Sequence, residues 1–358
     1  MTDDRSSPHK GRGATFNPKV RFEATATEPF DDGWGSLDEV LLERPRTEVL
    51  PDASRSVIAR NQSPDIPFEQ SINPYRGCEP GCLYGYARPS HACLGLSPGL
   101  DFETRIFAKH DAAGLLEGEL ARPGYGCQTI ALGANTDPYQ PLERRLKITR
   151  GILEVLACCR HPVGIVTKSA AVVRDLDLLG AMAADGLARV GISVTTLDPA
   201  LARTLEPRAA APRRRLEAIA AVAGAGVPVT VMVAPIIPGL TDHEIETVME
   251  RAAEAGANHA SFTLLRLPYE IKELFTEWLR AHAPLKAERV LSLIRQCRGG
   301  RLNDATFGRR MRGEGAYAEL IERRVVLARR RLGLDRARPE LRTDLFVPPG
   351  SERQLRLL

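Results

Sequence analysis

Two cysteines, Cys78 and Cys82, stand four residues apart in the stretch Asn73–Arg88, which reads NPYRGCEPGCLYGYAR. Gly77, Pro80 and Gly81 bend the loop that carries them, and Tyr84 and Tyr86 follow with Gly85 between them. Thiols at this spacing on a tightly turned loop can point at one centre, as iron–sulfur ligands must. Zinc ligation, a redox pair or chance spacing also fits two cysteines, so the pair alone leaves the chemistry open. Among the others, Cys158 and Cys159 close an apolar helical stretch and read as core residues. Cys127 and Cys297 have no partner at ligand spacing, whereas Cys93, in SHACLGLSPG, lies only eleven residues beyond Cys82.

Further polar residues gather where apolar runs stop. GANTDPYQPLE (133–143) sets Asn135, Thr136 and Asp137 beside Pro138, a cluster suited to capturing a charged amine or, more plainly, to capping the next helix. VTKSA ends another run with Thr167, Lys168 and Ser169; a lysine at a strand tip either reaches solvent or meets an anion. GISVTTLDP puts Ser193 and Thr195 on one face by the two-residue period of a strand. APIIPGLTD (234–242) is bent by two prolines and a glycine. It suits stacking on a flat ring or a plain connection.

The elements that must position these residues follow from the apolar rhythm. Short runs at 128–134, 163–168, 188–195, 228–234 and 259–265 read as strands, with a further strand near 67–73 ahead of the cysteine loop. Helical segments fall between them at about 141–159, 170–185, 212–225 and 241–255, the last with Thr241 as N-cap and Glu244 three residues on. About six βα units predict an α/β fold, a partial (β/α)6 barrel with a parallel sheet, and handedness places every strand's C-terminal end on one rim. Three more helices are expected at 270–282, 285–297 and 313–333. The chain divides into a disordered tail (1–20), an irregular N-terminal extension (21–66), the core (67–268), a helical C-terminal appendage (269–345) and a tail (346–358).

Composition narrows the class. At 358 residues the chain can bury a large core, and its formal charge of +4 is too small to demand a polyanionic partner. No apolar run approaches a membrane span, and the polar start MTDDRSSPHKGRG lacks the core of a signal peptide. With seven cysteines, an odd number, the expectation is a soluble cytoplasmic protein with reduced thiols and no membrane partner. From Arg298 to Arg342 thirteen arginines face six carboxylates, which suits either a nucleic-acid partner or a solvated basic helix face.

Taken together, these motifs resemble the radical S-adenosylmethionine (radical SAM) enzymes, whose hallmark is C-x3-C-x2-C with an aromatic before the third cysteine. The stretch is similar to the branch related to spore photoproduct lyase (SplB-like), whose loop reads roughly NPYxGCxHGCxYCYAR. Within that branch, SRSVIARNQSPDIPF, HACLGLSPGLDFETRIF, TDPYQPLE and RLNDATFGRRMRG are similar to an uncharacterised bacterial group, so that the resemblance covers about residues 45–345. It implies that Cys78 and Cys82 ligate a 4Fe-4S cluster and that Tyr84 packs beside cluster and adenine. It also implies SAM contacts from Asp137, with Asn135 and Thr136, for the ammonium, from Lys168 for the carboxylate and from Ser193 for the ribose. Gly85 stands at the third ligand position and has no side chain to offer. Cys93, and less directly His91, are the nearby substitutes. The implied chemistry is reductive cleavage of SAM, with electrons from a donor such as ferredoxin or flavodoxin. The resulting 5′-deoxyadenosyl radical would then abstract hydrogen from an unknown substrate. The alternative is a cluster-deficient descendant that binds SAM or a partner such as nucleic acid without radical catalysis. The lyase's radical-relay cysteine has no counterpart in ALGANTDPYQ, so repair of spore-type thymine lesions is not implied.

Overall fold

The computed structural model describes residues 11–22, 46–336 and 340–350. Among the described residues ten strands run in chain order as β1 (Glu48–Pro51), β2 (Ile58–Arg60), β3 (Gln70–Ile72), β4 (Tyr75–Arg76), β5 (Arg105–Ala108), β6 (Ile130–Leu132), β7 (Val163–Thr167), β8 (Ala188–Ser193), β9 (Val229–Ile236) and β10 (His259–Leu264). The helices are α1 (Asp101–Thr104), α2 (Ala112–Leu120), α3 (Glu143–Leu146), α4 (Ile148–Cys158), α5 (Leu176–Ala184), α6 (Pro199–Leu205), α7 (Pro212–Gly224), α8 (Ile245–Glu254), α9 (Ile271–His282), α10 (Pro284–Gln296) and α11 (Ala316–Arg331).

The main sheet has the order β10-β9-β8-β7-β6-β3-β2. Its six central and distal strands are mutually parallel, and β2 closes one edge antiparallel to β3. β10 and β2 do not pair, so the barrel is open, as the six-unit rhythm predicts. Strands buried on both faces read as near-continuous Val and Ile runs, which is why VGIVT and ARVGIS were legible as strands. Their inward residues, among them Ile130, Ile165, Val190, Ile192 and Val231, meet Ile152, Leu179, Ile219, Val222 and Val248 from the helices in one core. Burying each of these large side chains contributes about 1.5–3 kcal/mol before chain entropy is set against it.

A smaller sheet, β1-β5-β4, flanks the first unit and starts the cysteine loop. The extension expected to be irregular therefore supplies β1 and β2 within its described part; residues 23–45 lie outside the described residues. The expected disordered tail is corrected for residues 11–20, where Arg12, Ala14 and Thr15 are buried; residues 1–10 are not described. The tail from 346 also begins packed, because Val347 N–H donates to Cys159 C=O at 2.9 Å and the Phe346 ring meets Tyr125 at a tilt and His161 edge-on. Thr241 does not cap α8 with its side chain. Its hydroxyl accepts from Ile237 N–H at 2.9 Å in the turn before, and Glu244 turns instead to Thr196 and Leu197.

Helices α9 and α10 build a second core from Ile271, Leu274, Phe275, Trp278, Val290 and Ile294, and this core takes in Leu83 and Tyr84 of the cysteine loop. The appendage is thus packed against the site. The arginine-rich stretch is largely paired internally: Arg310 with Asp65, Arg312 with Glu322, Arg324 with Glu246 and Arg331 with Glu250. Arg298 is buried and donates to four backbone carbonyls, including those of Leu264 and Leu265 at the end of β10.

Candidate functional site

The cysteine loop is fixed at both ends. β4 pairs with β5, and Cys78 N–H donates to Phe102 C=O at 2.8 Å. Gly77 and Gly81 take φ of +88° and +65°, the left-handed backbone that folds both thiols inward and that glycine enters without steric cost. On the far side Arg88 holds the loop closed. Its Nε donates to Cys82 C=O at 2.9 Å, its Nη1 to Pro98 and Gly99 carbonyls, and its Nη2 pairs with Glu103 at 2.5 Å, both side chains wholly buried. Glu103 also accepts from the Gly13 and Ala14 amides at 2.9 and 2.8 Å, so residues 11–22 strap over the loop. A side chain at Gly13 would place Cβ 1.9 Å from the Gly81 carbonyl oxygen, a contact only glycine allows.

The loop meets two strand ends. Asp137 N–H donates to Cys78 Sγ at 3.4 Å, and the Asp137 carboxylate accepts from Thr167 Oγ1 (2.7 Å), Lys168 N–H (2.8 Å) and Tyr139 N–H (2.9 Å). Lys168 Nζ lies 5.5 Å from the centre of the Tyr84 ring and forms no ion pair among the described residues. Burial pushes the Cys78 thiol well up, reinforced by Asp137 and Cys82, and pushes Cys82 to about 12 with Glu206 adding to it. Burial pulls Lys168 down, partly offset by the two thiols and Asp137. Both shifts favour the protonated thiol, so a metal would have to displace those protons on binding.

The remaining predicted residues divide by what already occupies them. Tyr84 is buried, its hydroxyl bonded to Thr195 Oγ1 at 2.9 Å and to Glu206, which in turn pairs with Arg215. Thr195 is thereby used up in this network, with a further bond to Ala234 C=O. Ser193 closes β8; it is buried, does not line the cavity at the ends of β6 and β7, and its hydroxyl bonds to no other described residue. Thr136 turns inward, donating to Tyr75 C=O at 2.8 Å, and so shapes the loop; Asn135 is exposed, its amide held by Asn73 Oδ1. Cys93 is exposed on the 3-10 turn Arg88–Leu94. His91 is buried between Phe102 and Phe107 with Nε2 against Arg105 C=O at 3.0 Å. Neither stands with Cys78 and Cys82 as a third ligand, because the turn sends one to solvent and the other into an aromatic pocket. Arg88, Glu103, Glu206 and Arg215 organise the site, yet no spacing rule singles them out. Arg215 in PRRRLE looks like its two neighbours until its burial is seen.

A cavity of about 460 Å³ opens beside this meeting point, lined by Pro80, by the β6 loop around Asp137 and Tyr139, by Lys168–Ala171 after β7, and by Arg208–Ala210. It lies at the C-terminal ends of β6 and β7, where open parallel sheets place their ligands.

Comparison with known proteins bears on this arrangement. Residues 72–252 match the family described as Radical SAM superfamily, a span that runs from the last residue of β3 through β6, β7, β8 and β9 and ends within α8. The chain belongs to the radical SAM superfamily. An uncharacterised protein of Mycobacterium tuberculosis is 39% identical over 223 residues, covering 62% of this chain and 66% of that protein's own length. An uncharacterised protein of Methanocaldococcus jannaschii is 28% identical over 173 residues, 48% of this chain and 62% of that one. Among solved structures, a spore photoproduct lyase mutant superposes with a TM-score of 0.56 at 17% identity over 80% of this chain and 79% of that chain. The same lyase complexed with dinucleoside spore photoproduct gives 0.54 at 17% identity, over 79% and 78%. At these identities the likeness is one of fold. Among the described residues no helix is long and apolar enough to cross a membrane.

Radical SAM proteins imply a 4Fe-4S cluster and SAM, and the two fit this chain unequally. For SAM, the Lys168 ammonium, which has no ion pair among the described residues, and the cavity it lines suit an amino-acid end and a nucleoside; Ser193 is buried, does not line that cavity and would have to be uncovered to meet a ribose. For the cluster, two thiols converge but the third position is Gly85. Among the described residues, no three His, Cys, Asp or Glu side chains form a metal-holding group. The protein's own donors fall one short of a three-thiolate cluster.

Proposed function

We propose that the rim formed by the cysteine loop and the ends of β6, β7 and β8 binds SAM, as a radical SAM protein whose radical chemistry is limited by Gly85. Lys168 would take the carboxylate and Ser193 the ribose. Asp137, with its carboxylate already carrying three hydrogen bonds, would fix Lys168 and Cys78 relative to each other as much as meet the ammonium. Tyr84, clamped by Thr195 and Glu206, offers a rigid wall. The single observation that carries this reading is the junction at Asp137, whose amide reaches Cys78 Sγ while its carboxylate holds the Lys168 backbone.

In this superfamily the cluster supplies the electron that cleaves SAM, and its open iron needs three thiolates on the other three. Gly85 favours the reading in which SAM is bound without turnover unless a donor from outside the chain completes the set. The substrate and the electron donor, with ferredoxin or flavodoxin as the expected class, belong to that conditional activity. Calorimetric titration with SAM tests the binding claim: saturable one-to-one binding is expected, weakened about tenfold in Lys168→Ala by loss of a charge-assisted bond. Equal affinity in wild type and variant would overturn the assignment of the rim.

A further inference from the structure

We propose that the cavity beside the cysteine loop binds a phosphate-bearing small molecule, a phosphomonoester or diphosphate, through the guanidinium groups of its outer wall. This goes beyond SAM binding, because SAM carries no phosphate and, of the residues expected to contact it, only Asp137 and Lys168 line the cavity.

Five cations line the cavity: Arg144, Lys168, Arg174, Arg208 and Arg214. Asp137, the one carboxylate among the described residues that line it, already accepts three hydrogen bonds. The acids that balance the arginines stand mostly behind them. Arg174 is held by Glu143 and Asp175, whose side chains are 1% and 0% exposed, and Arg208 by Glu79, 3% exposed. Those carboxylates fix the guanidinium groups from the protein side, so an entering solute meets the positive edges first. Arg144 has no ion pair among the described residues, and Arg214 pairs only with Glu217 on the surface of α7. Four arginines from four separate segments (α3, the 3-10 turn Ala170–Asp175, the loop after α6 and the first turn of α7) around one opening suit a group with several charged oxygens, since a guanidinium offers paired N–H donors in the geometry that phosphate accepts.

The test is calorimetric titration of the full chain with inorganic pyrophosphate, in the absence and presence of SAM, with succinate as the carboxylate control. Saturable one-to-one pyrophosphate binding is expected. It should weaken about tenfold or more in Arg144→Glu/Arg214→Glu, by loss of attraction and added repulsion, and return in the Lys/Lys pair. Both positions are on the surface, and an unchanged melting temperature verifies folding. Absence of binding, equal binding of succinate, or no change in the double glutamate variant would overturn the proposal. Pyrophosphate binding in a protein that fails to bind SAM would sustain it while removing the SAM reading.

Discussion

Gly85→Cys is the most informative change because the structure predicts that the backbone will accept it. Gly85 is outside the left-handed region, and a Cβ there would meet the Cys82 carbonyl oxygen at 3.1 Å and Arg88 Cγ at 3.6 Å. The first contact is tight by a few tenths of an ångström and sits in a turn closed by Gly85 N–H to Cys82 C=O, at 3.0 Å, so the cost to the metal-free fold is about 1 kcal/mol. Against that small cost stands a third thiolate beside two that already converge. After anaerobic reconstitution with iron and sulfide, the variant should hold about four iron atoms per chain with a thiolate-to-iron charge-transfer band. The wild type should be well below that, or lose its colour on desalting. Equal iron content in the two proteins would mean that Gly85 is not the limiting vacancy.

Other expectations follow from buried groups. Arg88→Met leaves Glu103 buried beside two backbone amides without its cation, so unfolding in urea should show a loss of about 3–5 kcal/mol and the strap of residues 11–22 should become protease-sensitive. Tyr84→Phe removes a hydroxyl shared by Thr195 and Glu206 and should cost about 1–3 kcal/mol in the same assay; no change would show that the network is dispensable. His161 is wholly buried, and burial lowers its folded pKa to about 4 from 6.5. The unfolded chain then binds the extra proton first as pH falls. The stability from the neutral ring is fully present above 6.5 and is lost between 6.5 and about 4, a swing of about 3 kcal/mol. His161→Asn should flatten that part of the pH–stability curve; an unchanged slope would point to another group.

The parallel sheet was legible because strands buried on both faces leave uninterrupted Val and Ile runs, and the helices between them keep their period. The short strands were not. β1, β4 and β5 carry two to four residues each, too few for a period, and exist because neighbours complete their hydrogen bonds. At the site, spacing and strand-end position drew notice to Cys78, Cys82, Asp137 and Lys168 but left their chemistry open, and only the family resemblance gave them roles; the structure joins Asp137 to Cys78 Sγ and to the Lys168 backbone. Thr136 could not be sorted from Asp137 by sequence, since only the three-dimensional turn decides that its hydroxyl faces Tyr75. Glu206 and Arg215, and Arg88 with Glu103, were hidden for a different reason. Charged residues carry no pattern until burial shows that their charges must be matched, and this chain has arginine in every segment. The N-terminal strap reads as polar and glycine-containing, yet Gly13 is there because only a bare backbone fits against Gly81.

The rim's role rests on where SAM sits, and a crystal structure of the complex measures that directly. The methionine carboxylate is expected within hydrogen-bond distance of Lys168 Nζ, the ribose at Ser193 and the sulfonium on the side of Cys78 and Cys82. SAM found away from the ends of β6, β7 and β8, with Lys168 free in solvent, would contradict that placement.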